Sequence, residues 1–220
     1  MIDIERQDDG VAIVRWHDGE NRFNTASVRR WHEALDELEA TDGPLAVVLT
    51  GAGKFFSNGL DLEGFAADPS AAGVVVSDVH RLLGRLLLFP AYTVAALNGH
   101  TFAAGAMVSC CVDARVMRDG RGYWCLPEVD LGLPLTPAMF AAVTARLGVA
   151  SAAEAMNTGR RYTAAEARAA GIVEHVADED RVLGLAVELA AAVAGKDRSV
   201  IAEHKRLLFA DAARTCGVEV

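Results

Sequence analysis

Leu45-Ala46-Val47-Val48-Leu49-Thr50-Gly51-Ala52-Gly53-Lys54-Phe55-Phe56-Ser57-Asn58-Gly59-Leu60-Asp61-Leu62 passes from an unbroken apolar run into a loop of small and polar residues. Leu45 to Leu49 is short and fully apolar, which fits a buried strand better than a helix. Upstream, Thr25 to Ala40 carries Val28, Trp31, Ala34, Leu35 and Leu38 at three- and four-residue spacing. That spacing predicts an amphipathic helix, with Thr25 as its cap. Before it, Ile2 to Arg6 and Val11 to Trp16 flank Asp9-Gly10, a dipeptide suited to a tight hairpin turn. Downstream the alternation continues with a helix at Val79 to Leu88, a strand at Thr93 to Leu97, an Ala-rich helix from about Ala104 and a strand at Ala114 to Met117. Strands alternating with helices pair in parallel through right-handed crossovers. From Thr136 the pattern is helical, broken at Ile172 to Val176. The expected class is α/β: a core over 1–135 followed by a helical region over 136–220.

With 220 residues, of which 52% are hydrophobic and 23% charged, the chain can bury a sizeable core. A net charge of −9 argues against a general affinity for nucleic acid or anionic lipid, because neither finds a basic surplus. Cys110, Cys111, Cys125 and Cys216 form no C-x-x-C pair and have no histidine at zinc-ligand spacing, so reduced thiols are expected and no metal site. Met1 to Glu5 is unlike a signal peptide, no apolar run reaches the roughly 18 residues of a membrane span, and the last residues are not a peroxisomal tripeptide. A soluble, cytoplasmic protein is the expectation.

Two loops, each following an apolar strand, concentrate the chemistry. In Gly53 to Leu62, Gly59 permits a tight turn and a close approach to a ligand, leaving the Leu60 N–H to point at it. In Asn98-Gly99-His100-Thr101-Phe102-Ala103-Ala104-Gly105-Ala106-Met107, the first-turn N–H groups of the following helix have no helical acceptor and favour negative charge. Two such donors converging on one oxygen make an oxyanion hole; either loop taken singly is equally a tight connection.

Phe56-Ser57-Asn58-Gly59-Leu60-Asp61-Leu62 resembles the crotonase motif Phe-x-x-Gly-x-Asp-Leu, and Ala95-Ala96-Leu97-Asn98-Gly99 through Gly105 resembles that family's second motif. The likeness continues through Asp113-Ala114-Arg115, Leu126-Pro127-Glu128-Val129-Asp130-Leu131-Gly132-Leu133, Thr163 to Ala167 and Gly171-Ile172-Val173. Together these blocks span roughly four fifths of the chain, in the family's order. Within the enoyl-CoA hydratase/isomerase, or crotonase, family the chain is most similar to short 3-enoyl-CoA/2-enoyl-CoA isomerases of the plant peroxisomal type. The resemblance implies a β-β-α spiral core, a homotrimer, and an acyl-CoA thioester as substrate, with CoA part of the substrate and no separate cofactor.

Carried over residue by residue, the oxyanion donors are the N–H groups of Leu60 and Ala104, and Glu128 is the catalytic carboxylate. Ser57, Asn58, Gly59, Leu60, Asp61 and Ala104 are the implied CoA-binding positions. Hydration in this family uses a second carboxylate nine residues after Asn98, where this chain has Met107. A thioether accepts no proton at neutral pH, so a single-carboxylate allylic isomerisation in fatty-acid β-oxidation is the leading expectation. A hydratase or another crotonase reaction comes second, and a non-catalytic acyl-CoA-binding or assembly protein third. The third reading requires Glu128 turned from the pocket or the Leu60 N–H already paired.

Each residue also has a plain structural reading. After Pro127, Glu128 fits a helix N-terminus, with Asp130 as a nearby competitor. His100 fits a turn, Asp61 an Asx turn, Met107 an apolar wall, and Lys205 and Arg206 a solvated face.

Overall fold

In the computed structural model, which describes residues 1–220, Gly10 takes a φ of +82° and Asp9 Oδ1 accepts the Val11 N–H at 3.2 Å. Strands β1 (Ile2–Arg6) and β2 (Val11–Trp16) therefore pair antiparallel, Ile2 opposite Trp16 and Arg6 opposite Ala12. After the two-residue β3 (Arg22–Phe23) comes α1 (Thr25–Glu39), with all five expected apolar residues buried. Its cap is Asn24, not Thr25: Asn24 accepts from the Ala26 and Ser27 N–H groups while Ser27 Oγ accepts from the Asn24 N–H. Asn24 has extended backbone whereas Thr25 is already helical, and a capping side chain works only from the residue outside the helix.

β4 (Ala46–Gly51) is buried along its length and leads into β5 (Phe55–Ser57), β6 (Gly59–Leu60) and α2 (Leu62–Ala67). Helix α3 runs over Pro69–Leu88, longer than the Val79 to Leu88 expected. Asp68 caps it through the Ser70 N–H, and Pro69 occupies its first turn, where a missing N–H is harmless. β7 (Tyr92–Leu97), β8 (His100–Phe102), α4 (Ala104–Cys110), β9 (Ala114–Arg118) and β10 (Trp124–Cys125) follow, then α5 (Pro137–Thr144), α6 (Val149–Thr158) and α7 (Ala164–Ala169). β11 (His175–Ala177), α8 (Val182–Ala194) and α9 (Arg198–Thr215) complete the chain.

The main sheet has the order β1-β2-β4-β7-β9-β11, parallel from β2 onward. Small sheets β10-β8-β5 and β3-β6 stand apart from it. One face of the main sheet meets α8 through Ala186, Ala190 and Ala194, forming a compact cluster with Val48, Val94 and Val116. The other face builds the large core of Trp16, Leu49, Leu97 and the helices α1, α3, α4 and α5. This spiral sets the β5–β6 turn against the start of α4, where the two motifs meet.

Lys205 is not on a solvated face. It is 4% exposed, and its Nζ meets Asp113 Oδ2 at 2.6 Å and donates to the Ala91 carbonyl at 2.7 Å. Asp113 also accepts from the Thr93 N–H and hydroxyl, so this charge ties α9 to the strand ends and is unavailable to a ligand. All four cysteines are free and buried. Burial pushes the thiols of Cys110, Cys125 and Cys216 up to about 11 and raises that of Cys111 well above its ordinary value, which keeps them as unreactive protonated thiols. No helix is long and apolar enough to cross a membrane.

Candidate active site

Gly59 has a φ of +83°, and a Cβ there would lie 2.7 Å from Ala103 Cβ and 3.4 Å from the Ala104 nitrogen. Only glycine brings the two loops so close. Ser57 is buried beneath them, its Oγ donating to the Asn21 carbonyl at 2.6 Å and accepting the Gly59 N–H at 3.2 Å. A Cβ at Gly105 would strike Ser57 Cβ at 2.6 Å. The first glycine thus shapes the donor loop, and the second seats α4 against it.

Phe23 faces Leu60 in the parallel β3–β6 pair, and its carbonyl accepts the Asp61 N–H at 3.0 Å. A parallel ladder uses the residues flanking a partner, not the partner itself, so the Leu60 N–H points away from β3. Ala104 opens α4, where no side chain caps the turn and the first internal bond runs from the Met107 N–H to the Ala103 carbonyl. The Ala104 N–H has no acceptor. Leu60 and Ala104 line one cavity of about 370 Å³, together with Met107, Val76, Met139 and Glu128. Ala103 sits at φ +50°, ψ −123°, a conformation that favours glycine, and it turns the chain from β8 into α4 at the cavity wall.

Glu128 stands in a turn after β10, not at a helix N-terminus; the Leu131 and Leu133 N–H groups close onto its carbonyl at 3.1 and 3.0 Å. Glu128 lines the cavity, and its buried Oε2 has no hydrogen-bond partner. Burial raises the carboxyl above its ordinary range, and a hydrogen bond from its own N–H opposes that only in part. Such a group is a stronger base than a solvated carboxylate. Met107, 1% exposed, supplies apolar wall nine residues after Asn98, the position at which a second carboxylate would serve hydration. Both conditions for a non-catalytic reading therefore fail: Glu128 faces the cavity and the Leu60 amide is free of the ladder.

The remaining expected positions have partners of their own. Asn58 lines the cavity, but its N–H donates to the Glu20 carbonyl at 3.0 Å and its Nδ2 to Glu20 Oε2 at 2.8 Å. Asp61 lies outside the cavity, where it caps α2 through the Gly64 N–H and stands 3.6 Å from Arg22. Asp130 is packed beside Gly159 and takes no part. His100 is stacked among Phe55, Phe102 and Tyr123, with ring centroids 5.0 to 5.7 Å away. The residue that sequence reasoning missed is Thr136. It lines the cavity while its Oγ1 caps α5 through the Met139 N–H and pairs with His80 Nε2 at 3.0 Å. Its position before Pro137 marks the cap, but nothing local points to His80.

The family model for enoyl-CoA hydratase/isomerase matches residues 6–217. The chain is 31% identical to peroxisomal enoyl-CoA delta isomerase 2 of Arabidopsis thaliana, over 100% of this chain and 96% of that protein. It is 34% identical to a putative enoyl-CoA hydratase of Thermus thermophilus, over 96% and 84% respectively. Among solved structures, a probable enoyl-CoA hydratase of Mycobacterium tuberculosis superposes with a TM-score of 0.90 at 27% identity, covering 98% of this chain and 91% of that one. Two uncommitted amides and one buried carboxyl on the wall of a single cavity, within a spiral of β-β-α turns, are thus accompanied by likeness along nearly the whole sequence, and the chain belongs to the enoyl-CoA hydratase/isomerase family of enzymes.

Proposed function

We propose that the protein moves the double bond of a 3-enoyl-CoA thioester to the 2-position, as a step in fatty-acid β-oxidation. The observation carrying this reading is that Glu128 is the only carboxyl on the cavity wall, with Met107 where hydration would need a partner. The thioester oxygen sits between the Leu60 and Ala104 amides. Glu128 removes a C2 proton, the electron pair moves onto the held oxygen, and as the enolate collapses the same carboxylic acid returns the proton at C4. Each amide contributes about 3–4 kcal/mol to lowering the barrier, by analogy with other oxyanion holes. The raised basicity of Glu128 matches a group that must take a proton and give it back. The protein is further proposed to work as a homotrimer, which sedimentation equilibrium at micromolar concentration tests directly.

A hydratase reading draws on the Thermus relative, described as a putative hydratase. The deciding experiment is product analysis with 3-enoyl-CoA and 2-enoyl-CoA substrates. Conjugated 2-enoyl-CoA as the accumulating product supports the isomerase; rapid formation of 3-hydroxyacyl-CoA from 2-enoyl-CoA sinks it.

A further inference from the structure

Gly59 gives the Leu60 amide its place and also its freedom. A glycine peptide swings through backbone angles closed to other residues, so the Leu60 N–H keeps its direction only if the residues on either side are held. The pairing of β3 with β6 is two residues long, too short to hold them alone. The segment 18–24 supplies what is missing. Asn21, fully buried, donates through Nδ2 to the Phe55 and Phe56 carbonyls at 3.1 and 3.2 Å, and its own carbonyl accepts the Ser57 hydroxyl. These bonds stop at Ser57.

Past Ser57 the hold is ionic and centres on Arg22. Its Nε and Nη2 meet Glu20 Oε2 at 2.9 and 2.7 Å, the same oxygen that accepts from Asn58 Nδ2 at 2.8 Å. Its Nη1 stands 3.6 Å from Asp61 Oδ1 and 3.2 Å from Glu63 Oε2. One guanidinium thus reaches the residue before Gly59 through Glu20, and the residue after Leu60 directly. A planar fork spans two such anions, which the single ammonium of a lysine does not. The Asn58 amide and the Arg22 guanidinium hold the Glu20 carboxyl below its ordinary range, so it is ionised and grips both at neutral pH.

We propose that Arg22 is a positioning residue for the reaction: it clamps Asn58, through Glu20, together with Asp61, and so aims the Leu60 amide at the thioester oxygen. This rests on the oxyanion reading above. Arg22 does not line the cavity. It shares a shallow hollow with Asp18, Glu20, Asp61 and Glu63, whose carboxylates repel an anionic ligand, so its charge serves the turn and not the substrate.

The test joins kinetics to infrared spectroscopy on wild type, Arg22→Ala, Glu20→Ala and the double variant. In Arg22→Ala the kcat for 3-enoyl-CoA falls about 10- to 100-fold, part of what loss of a whole oxyanion donor costs. KM moves less than about threefold, because the amide acts on charge that develops in the transition state. The urea midpoint hardly moves, since partly exposed ion pairs contribute little to stability. The losses in Glu20→Ala and Arg22→Ala combine to less than their product, because both release one turn. Hexanoyl-CoA labelled at its carbonyl carbon binds without reacting, and each hydrogen bond to the carbonyl oxygen weakens the C=O bond and lowers its stretching frequency. That lowering is full in wild type and smaller in Arg22→Ala. An unchanged kcat in Arg22→Ala, losses that multiply, or a lowered band identical in wild type and Arg22→Ala overturns the proposal. So does a kcat loss that follows a falling urea midpoint, which makes Arg22 a folding residue only. A wild-type band no lower than that of the free thioester is a different result, and it removes the oxyanion reading itself.

Discussion

Gly59→Ala should damage both folding and catalysis, and the structure says by how much and what should repair it. The new methyl lies 2.7 Å from Ala103 Cβ, a short side chain with no rotamer to escape into. Overpacking of this kind costs about 1–3 kcal/mol. A left-handed backbone at φ +83° adds about 1–2 kcal/mol for any residue with a Cβ, giving a total of about 2–5 kcal/mol. Ala103→Gly alone is neutral to mildly stabilising, since relief of its own positive φ, about 1–2 kcal/mol, is partly offset by about 0.5–1 kcal/mol of extra chain entropy lost on folding. Combined with Gly59→Ala it removes the opposing methyl, leaving the Phe102 carbonyl at 3.3 Å and the φ strain. Urea unfolding of the four proteins should therefore give a favourable coupling of about 1–3 kcal/mol. Turnover should recover in the double variant with stability, because the Leu60 amide returns to its place. Additivity within about 0.5 kcal/mol would refute the close-approach argument.

Glu128→Gln should lower isomerisation by at least ~100-fold, as general-base loss does, while the variant folds normally; full activity in it would overturn the mechanism. The raised carboxyl of Glu128 also sets a sign: the folded protein holds this proton more tightly than the unfolded chain, so stability falls as pH climbs from the ordinary carboxylate range through the folded value. Glu128→Gln lacks that fall and should be the more stable protein at pH 7 in thermal melts, and wild-type activity should rise over the same interval. Met107→Glu should confer weak hydration on 2-enoyl-CoA, read by chromatography of the 3-hydroxyacyl product, against little in wild type. Lys205→Met removes one charged donor from the buried Asp113, which keeps Arg146 at 3.5 Å and the two Thr93 donors, and should destabilise by about 1.5–3 kcal/mol, seen as an earlier urea midpoint, with the acyl-CoA affinity of the folded fraction unchanged.

Local chemistry made much of this architecture legible. Asp9-Gly10 announces its hairpin, the stripe from Val28 to Leu38 its helix, and the pairing of Gly59 with the Asn98 to Gly105 run its two amides. What escaped reading was either unpatterned or long-range. The first turns of α3 are small residues, Ser70, Ala71, Ala72 and Gly73, without an apolar face, so periodicity alone starts that helix a few turns late even though Asp68-Pro69 marks its true beginning. β11 is three half-buried residues that gain their identity only by pairing with β9. Lys205 finds Asp113 across 92 positions of chain, and His80 finds Thr136 across 56. No window along the sequence contains either pair.

The strand order of the main sheet, in which each strand lies beside its immediate predecessor among the long strands, bears on how the chain is made. Every new β-α unit leaving the ribosome meets a finished edge and needs no later segment to complete its pairing. The sheet can grow by accretion from the hairpin outward, with short closure distances at each addition. Growth ends at β11, whose three residues leave little edge for another chain to extend.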